Sequence, residues 1–217
     1  MVKRSFDLIC ALILLILLAP FLLALAFVVR LSSPGPAFYG GIRVGCNGKP
    51  FRMWKFRTMV ANAEELGGAC TSSNDPRITR LGRWLRWYKL DELPQLVNVL
   101  LGEMSFVGPR PEVQQYVELY SDEEKAILSL KPGITDWATI WDCDEEQLLA
   151  GYPDPERKYL EWIRPEKIRR QLEYVNVHTF CVDLKILFVT AGLVVGRFLG
   201  VAKPKDGRVQ QSLGKEL

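Results

Sequence analysis

An uncharged apolar run from residue 8 to residue 29 dominates the start of the chain. As a helix, this run is long enough to cross the hydrocarbon core of a bilayer, which is about 30 Å thick. It is too long for the apolar region of a secretory signal peptide, and no small-residue cleavage site with a polar flank follows it. The pattern therefore predicts a membrane helix in residues 1–31.

Two arrangements of this helix are open, a simple transmembrane anchor and a re-entrant hairpin. Hydropathy alone favours the anchor. Pro20, however, lies in the middle of the run, where it removes one helical hydrogen bond and kinks the helix. Basic residues also flank both ends of the run: Lys3, Arg4, Arg30, Arg43, Lys49, Arg52, Lys55 and Arg57. Because basic residues prefer the cytoplasmic side, the pattern favours a re-entrant helix with both ends on that face.

Two β-rich runs follow at residues 37–44 and 51–58, and Asn47-Gly48 lies between them. Asn-Gly between such runs predicts a β-hairpin. In the second run the alternation of polar and apolar residues is not clean. Its basic residues therefore fit either a solvated strand or a strand that faces a phosphate.

The remaining periodic segments predict helices. Residues 79–89 form a basic amphipathic pattern with Trp84 and Trp87, which suits a membrane interface but also fits a core helix with a charged outer face. Residues 93–101 predict a core helix that Gly102 ends. The apolar segment 184–199 contains Lys185 and Arg197 and is too short between them to span, so it predicts an interfacial or packed helix.

These elements predict an α+β fold that is mainly α. We expect a re-entrant membrane helix hairpin, interfacial amphipathic helices and a small β-hairpin. Residues 32–200 would form one folded domain, and the polar residues 201–217 would form a mobile tail.

Charge and cysteine content narrow the class of protein. The chain has 28 Lys and Arg against 25 Asp and Glu, a formal charge of +3. This excess is too weak for a dedicated nucleic-acid-binding protein. The five cysteines form no CxxC or Cys/His cluster, so neither a disulfide framework nor a zinc site is predicted. A reduced chain that faces the cytoplasm fits best.

The strongest candidate chemistry lies at Asp91-Glu92, two adjacent acids before Pro94. Because proline is tolerated in the first turn of a helix, both acids should lie at a helix N-terminus, which favours a carboxylate or a bound phosphate. Basic residues recur every third position before them: Arg77, Arg80, Arg83, Arg86 and Lys89. Paired acids among so many bases predict a site that handles phosphate.

A rigid turn, Gly108-Pro109-Arg110-Pro111, presents a single arginine. Such turns are commonly structural, but a rigid arginine also suits the binding of phosphate. His178 has no Ser, Cys or second His at a suggestive spacing, so a structural role is favoured for it.

Taken together, these motifs resemble the monotopic phosphoglycosyl transferases, the bacterial sugar transferases that start glycan assembly on polyprenol phosphate. The resemblance covers residues 3 to about 135 in the order typical of that family. The matching stretches are Lys3-Arg4 with Phe6-Asp7, the apolar run broken at Pro20, Ser33-Pro34-Gly35-Pro36, Lys55-Phe56-Arg57-Thr58-Met59, residues 77–82, residues 90–100, residues 104–111 and Lys131-Pro132-Gly133-Ile134-Thr135.

The resemblance implies an enzyme of the bacterial inner membrane, monotopic, with its active site on the cytoplasmic face in residues 32–200. Asp91 would be the nucleophile that attacks the β-phosphate of a UDP-sugar, releases UMP and forms a phosphosugar-aspartyl intermediate. Polyprenol (undecaprenyl) phosphate would then take the phosphosugar. The family's cofactor is Mg²⁺, which Asp91 would help to hold.

The resemblance also assigns the neighbouring residues. Lys55, Arg86 and Arg110 match positions that lie around the phosphates, and Pro20 matches the membrane kink. Glu92 would either assist proton removal from the polyprenol phosphate or complete the metal shell. Membrane phospholipid would be a further partner, and nucleic acid would not; the oligomeric state, the particular UDP-sugar and the particular polyprenol are left unassigned.

The chain departs from the family pattern in two places. Ala19-Pro20 stands where many relatives have Ser-Pro, so no serine hydroxyl is available to the freed backbone. After Thr135 the chain reads Asp136-Trp137-Ala138 and places Cys143 where relatives have an arginine. Asp136 could contact the sugar or cap the next helical turn, and the cap is favoured. The alternative to an enzyme is a non-catalytic membrane scaffold that binds the lipid carrier or glycan-assembly partners.

Overall fold

The computed structural model describes residues 2–68, 70–142 and 145–201. Cys143 and residues 202–217, including most of the predicted tail, lie outside the described residues. The helices are α1 (Val2–Ser32), α2 (Ala63–Leu66), α3 (Arg80–Trp87), α4 (Gln95–Leu101), α5 (Gln114–Val117), α6 (Trp137–Trp141), α7 (Glu145–Leu148), α8 (Pro155–Lys158), α9 (Arg164–Val177) and α10 (Phe180–Phe198). The strands are β1 (Phe38–Val44), β2 (Pro50–Phe56), β3 (Ser105–Val107) and β4 (Gly133–Thr135).

The fold is mainly helical, with two small two-stranded sheets, which confirms the predicted class. Strands β1 and β2 pair antiparallel, and Phe38 lies opposite Phe56. The turn between them holds Asn47 in the left-handed region (φ 57°), as the Asn-Gly signal predicts. Strands β3 and β4 pair in parallel.

Helix α1 is long and apolar enough to cross a membrane and is continuous through Pro20. Non-helical residues do not divide it into two helices. Its buried residues, Asp7, Ala11, Leu25 and Val29, lie near the two ends of the helix. The first two are four residues apart, as are the last two, and Ala11 and Leu25 are fourteen residues apart. At 3.6 residues per turn, all four lie on one face of the helix, and this face packs against the rest of the chain.

The N-terminal end of α1 is held by charged side chains that reach into the folded domain. Lys3 Nζ lies 2.5 Å from Asp183 Oδ2 and donates to the Val107 carbonyl at 2.9 Å. One turn later, Asp7 is buried and accepts a hydrogen bond from Ser105 Oγ at 2.8 Å. Strand β3 and helix α10 therefore both fix the start of α1.

The C-terminal end of α1 is held by Arg57, which follows strand β2. The last carbonyls of a helix have no partner within the helix. The Arg57 guanidinium supplies donors to the Val29 carbonyl at 3.2 Å, the Ser33 carbonyl at 2.7 Å and the Pro34 carbonyl at 2.6 Å. The sequence left open whether the basic residues of this segment are solvated or face a phosphate. Neither description fits Arg57, because its side chain is buried and bonds to these carbonyl groups.

Helices α3 and α4 pack against strand β2 and the residues that follow it. A Cβ atom at Gly82 of α3 would lie 2.0 Å from the Thr58 carbonyl oxygen, so only glycine permits this close approach. In α4, Asn98 Oδ1 accepts from the Trp54 amide at 3.0 Å, and Asn98 Nδ2 donates to the Arg52 carbonyl at 2.8 Å. Strand β2 therefore positions both helices that flank residues 88–94.

Side-chain caps precede two short helical segments. Asp136 caps α6 through its Oδ1, which accepts from the Thr139 amide at 2.6 Å, and its side chain is fully buried. The cap interpretation is therefore confirmed. Ser121 and Glu124 form the reciprocal hydrogen bonds of a capping box, but the helix after them, Glu124–Ser129, is a 3₁₀ helix.

Candidate active site

A cleft of about 410 Å³ brings together five of the six predicted site residues. Those five are Lys55, Arg86, Asp91, Glu92 and Arg110. The sixth, Pro20, lies within α1 and does not line the cleft. The cleft therefore unites residues that span more than fifty positions of the chain.

The two acids occupy a single 3₁₀ turn, Leu90–Glu92, immediately before α4. Lys89 starts this turn in the left-handed region, with φ 56°. This conformation is uncommon for a residue with a side chain and tends to occur where function requires it. The turn buries Asp91 and presents both acids to the cleft, close to the helix N-terminus that Pro94 predicted.

Arg110 is held by a close pairing of two loops. The Gly108 amide donates to the Thr135 carbonyl at 3.1 Å, and the Gly133 amide donates to the Pro109 carbonyl at 3.0 Å. A Cβ atom at Gly133 would lie 2.1 Å from the Gly108 nitrogen. The Gly-Pro-Arg-Pro turn and the Lys-Pro-Gly-Ile-Thr segment, which look like separate turns in the sequence, thus form one support for the arginine.

Glu92 binds two cations. Arg110 donates to both of its carboxylate oxygens, with Nη2 2.6 Å from Oε1 and Nη1 3.3 Å from Oε2. Lys55 Nζ donates to Oε1 at 2.9 Å. Burial opposes ionisation of Glu92, but the charges of Arg110 and Lys55 outweigh it and hold its pKa well below the usual value. Glu92 is therefore a carboxylate whose charge is already compensated.

Asp91 has a different environment, although it is the adjacent residue. Its Oδ1 is buried and has no hydrogen-bond partner among the described residues. Burial raises the pKa of Asp91, and the positive charge of Lys55 offsets only part of that effect. Asp91 is thus an under-solvated carboxylate beside cations that are bound mainly to its neighbour.

Arg86 reaches the cleft from α3. Its Nε donates to Thr58 Oγ1 at 2.8 Å, and its Nη1 lies 2.7 Å from Glu146 Oε1. Of the five arginine and lysine positions that recur before Asp91, Arg83, Arg86 and Lys89 line the cleft. Arg77 does not: it is buried and pairs with Asp75 at 2.7 Å.

A second charged cluster lines the same cleft and was not predicted from the sequence. Lys167, on α9, is buried and lies 3.0 Å from Glu145, 3.3 Å from Glu112 and 3.4 Å from Asp142. The Tyr159 hydroxyl donates to Glu112 at 2.9 Å. No local motif could have found this cluster, because its members come from separate segments of the chain.

The acids of this cluster titrate differently from one another. Burial raises the pKa of Asp142 to about 7, and Lys167 offsets only part of this effect. Burial also opposes ionisation of Glu145, but Lys167 outweighs it and lowers the pKa of Glu145 to about 2. Burial likewise opposes the charge on Lys167, yet the surrounding carboxylates raise its pKa well above the usual value. Lys167 is therefore held as a cation.

Residues 1–197 match the family model of the bacterial sugar transferases. The chain belongs to the bacterial sugar transferase family. It is 37% identical over 195 residues to the UDP-glucose:undecaprenyl-phosphate glucose-1-phosphate transferase of Escherichia coli K12, a match that covers 88% of this chain and 39% of that protein. It is also 39% identical over 198 residues to the undecaprenyl-phosphate glucose phosphotransferase of Komagataeibacter xylinus, covering 87% of this chain and 35% of that protein.

A relative of similar length is the uncharacterized sugar transferase EpsL of Bacillus subtilis 168. It is 37% identical over 193 residues, which cover 89% of this chain and 87% of EpsL. The chain therefore spans less than half of the two longer relatives but most of the shorter one. As a bacterial sugar transferase with a long apolar helix, the protein is membrane-associated.

Proposed function

We propose that the protein is a phosphoglycosyl transferase that moves a phosphosugar from a UDP-sugar to polyprenol phosphate. The observation that carries this proposal is the contrast at the paired acids: the buried Oδ1 of Asp91 has no hydrogen-bond partner among the described residues, and Glu92 binds both Lys55 and Arg110. The printed names of the relatives support the substrate class, since they include glucose, galactose and N-acetylgalactosamine phosphotransferases that act on undecaprenyl phosphate.

In the first step, a carboxylate oxygen of Asp91 would form a bond to the β-phosphorus of the donor. The bond from that phosphorus to the bridging oxygen breaks, and UMP leaves with the electron pair. In the second step, an oxygen of polyprenol phosphate attacks the same phosphorus and releases Asp91. Two displacements let a soluble donor leave before a lipid acceptor arrives, so both can use one site.

The basic residues of the cleft make the first step possible. An anionic nucleophile is repelled by a diphosphate unless cations neutralise the phosphate oxygens. Arg86 and Arg110 can each present two N–H groups to a phosphate, and Lys55 provides a point charge beside them. All three line the cleft with Asp91.

The residues present also fit Mg²⁺. This ion prefers oxygen ligands and is usually held by one or two carboxylates together with substrate phosphates. The buried, unpartnered Oδ1 of Asp91 would be such a ligand. Within the described residues, no group of three or more His, Cys, Asp or Glu forms a ready-made metal cage. When bound, Mg²⁺ would neutralise charge on the diphosphate.

For Glu92, the structure favours organising cations over accepting a proton. A general base works best when its pKa lies near the working pH. The low pKa of Glu92 makes it a weak base, and its ion pairs with Arg110 and Lys55 fix both cations beside Asp91.

The proposed location is the cytoplasmic face of the bacterial inner membrane, with α1 re-entrant. A helix of 31 residues would extend about 46 Å if straight and crossing. Lys3 near one end and the Val29 carbonyl near the other both bind the same folded domain. These contacts support a topology in which both ends lie on one side of the membrane, and Pro20 is the proposed place for a bend.

Helices α3 and α10 would lie at the membrane surface. Tyr88, the residue after α3, stacks its ring on that of Phe198 of α10 at 4.6 Å. Large apolar side chains on both helices are exposed, among them Trp84, Phe188 and Val195. Such faces suit the boundary between headgroups and acyl chains.

The test is UMP release from a panel of UDP-sugars by the purified protein with Mg²⁺ and undecaprenyl phosphate. We expect release with at least one donor, and we expect Asp91→Asn to lower it by at least a thousandfold because the nucleophile is lost. If no donor releases UMP where a relative is active, the non-catalytic scaffold becomes the better description.

The topology has its own test. Single cysteines placed near Lys3 and after Arg30, in a background without the native cysteines, are labelled with a membrane-impermeant reagent from each side. Labelling of both from the cytoplasmic side is expected. Labelling from opposite sides would show a simple transmembrane anchor.

A further inference from the structure

Thr58 lies behind the cleft, three residues after Lys55. It is buried, and its hydroxyl accepts a hydrogen bond from Arg86 Nε at 2.8 Å. Its backbone carbonyl accepts from the Thr79 amide at 2.9 Å, and Thr79 is the residue that caps α3. One residue therefore contacts both the start of α3 and the arginine in its last turn.

The geometry of α3 explains how Thr58 can do both. Residues four apart lie on the same face of a helix, so Gly82 and Arg86 face the same way. Because Gly82 has no side chain, α3 lies directly against the Thr58 carbonyl. Arg86, one turn further on, is then close enough for its Nε to reach the Thr58 hydroxyl.

This hydrogen bond determines how Arg86 can be used. The guanidinium is planar, so a bond at Nε restricts its rotation and directs the two Nη groups away from Thr58. Nη1 binds Glu146, whose side chain is 38% exposed. The carboxylate of Glu146 thus occupies, on the cleft side, a position that a phosphate oxygen could take.

We infer that Thr58 is a positioning residue that orients Arg86 for binding the donor's diphosphate. The inference rests on the proposed function for its substrate, but it concerns a residue that does not itself touch the phosphates. Without the hydroxyl, Arg86 would remain in the cleft and lose its fixed orientation.

The experiment measures UDP binding by calorimetry in the presence of Mg²⁺ for Thr58→Val, Thr58→Ser and the wild type, followed by kcat and KM for any donor that is turned over. Valine has nearly the same shape and leaves both backbone contacts intact, so we expect UDP affinity to fall about ten- to a hundredfold, the range for a hydrogen bond to a charged group. Serine keeps the hydroxyl and should restore affinity to within about threefold. The loss in turnover should fall mainly on KM.

Two controls separate positioning from general destabilisation. Thr190→Val removes the hydroxyl of a partly buried threonine, which is hydrogen-bonded to Thr135 at 2.8 Å outside the cleft, and should leave UDP affinity unchanged. In an Arg86→Ala background, Thr58→Val should have no further effect on UDP affinity, because the group that it orients is absent.

The outcomes are distinct. Equal UDP affinity in Thr58→Val and the wild type, an additive effect in the Arg86→Ala background, or no UDP binding by the wild type would overturn the inference. Loss of affinity in Thr58→Val with rescue by serine would support it even if no donor were turned over, and in that case only the proposed transferase activity would fail.

Discussion

Two charged clusters line one cleft, and their compositions are opposite. The first consists of Asp91 and Glu92 together with Lys55, Arg86 and Arg110. Glu92 forms ion pairs with both Lys55 and Arg110. The other cluster consists of Glu112, Asp142 and Glu145 around a single lysine, Lys167. The first has an excess of positive charge, and the second has an excess of negative charge.

This difference indicates a chemical role for the first cluster and a structural role for the second. Among the described residues, the buried Oδ1 of Asp91 has neither a hydrogen bond nor an ion pair, whereas the buried Oδ2 of Asp142, which also lacks a hydrogen bond, lies 3.4 Å from Lys167 Nζ. In the second cluster a buried lysine on α9 is shared among three acids, one at position 112 and two in the segment 142–145, and this sharing ties α9 to both segments. Both clusters lie in the cleft, so location does not distinguish the chemical role from the structural one. The number of ion-pair partners of each carboxylate does.

The largest expected effect comes from the loss of Lys167, the lysine of the second cluster. Lys167→Met should lower the free energy of unfolding by about 3–5 kcal/mol, because one buried and two partly buried carboxylates lose their shared cation. Thermal unfolding in detergent measures this. Lys125→Met is the matched control, since Lys125 pairs with Asp122 at the exposed surface and should change stability by less than about 0.5 kcal/mol. Equal effects of the two substitutions would contradict the assignment.

Substitutions of the adjacent acids Asp91 and Glu92 should change stability by intermediate and unequal amounts. Glu92→Gln should cost about 1–3 kcal/mol of stability, because the partly buried charges of Lys55 and Arg110 lose their carboxylate. Asp91→Asn should cost less than about 0.5 kcal/mol or stabilise the protein, because the buried Oδ1 of Asp91 has no hydrogen-bond partner among the described residues to lose. The same thermal unfolding assay decides. A larger loss of stability in Asp91→Asn would show that Asp91 has partners that stabilise the fold.

The smallest expected effect depends on pH. The pKa of Asp142 is raised to about 7 from its usual 3.8, so between these values the folded state keeps a proton that the unfolded state has lost. The contribution of Asp142 to stability therefore falls as the pH rises from about 4 to 7. Glu145 contributes in the opposite sense only below about pH 4.5, because its pKa is lowered to about 2.

Asp142→Asn removes this titration. Relative to the wild type, the melting temperature of this variant should rise by about 2–4 °C more at pH 8 than at pH 5, as expected for about 1 kcal/mol in a chain of this size. Asp122→Asn, at an exposed site, should show no such trend. A constant difference across the pH range would contradict the raised pKa.

The sequence predicts the parts of this molecule that depend on local rules. The hairpin follows from Asn47-Gly48, the end of α4 follows from Gly102, and the acids were placed near a helix start by Pro94. The five cleft residues came from motifs, and the fold brings them together.

The rest depends on contacts between distant segments. Lys167 and Arg57 look like ordinary surface charges in the sequence, because nothing nearby indicates that each will be buried against carboxylates or carbonyls. Arg77 shows the converse: it continues the three-residue spacing of the basic series, yet it pairs with Asp75 and lies outside the cleft. Spacing predicts which side chains share a face but not which partner each one finds.

The ion pair between Lys3 and Asp183 joins residues 180 positions apart. A ribosome that adds about 5–20 residues per second makes Asp183 about 10–40 s after Lys3. The first turn of this apolar helix is thus made long before its partner on α10, and its final attachment must wait for that helix. The cleft, which Arg197 of α10 also lines, is completed late in synthesis.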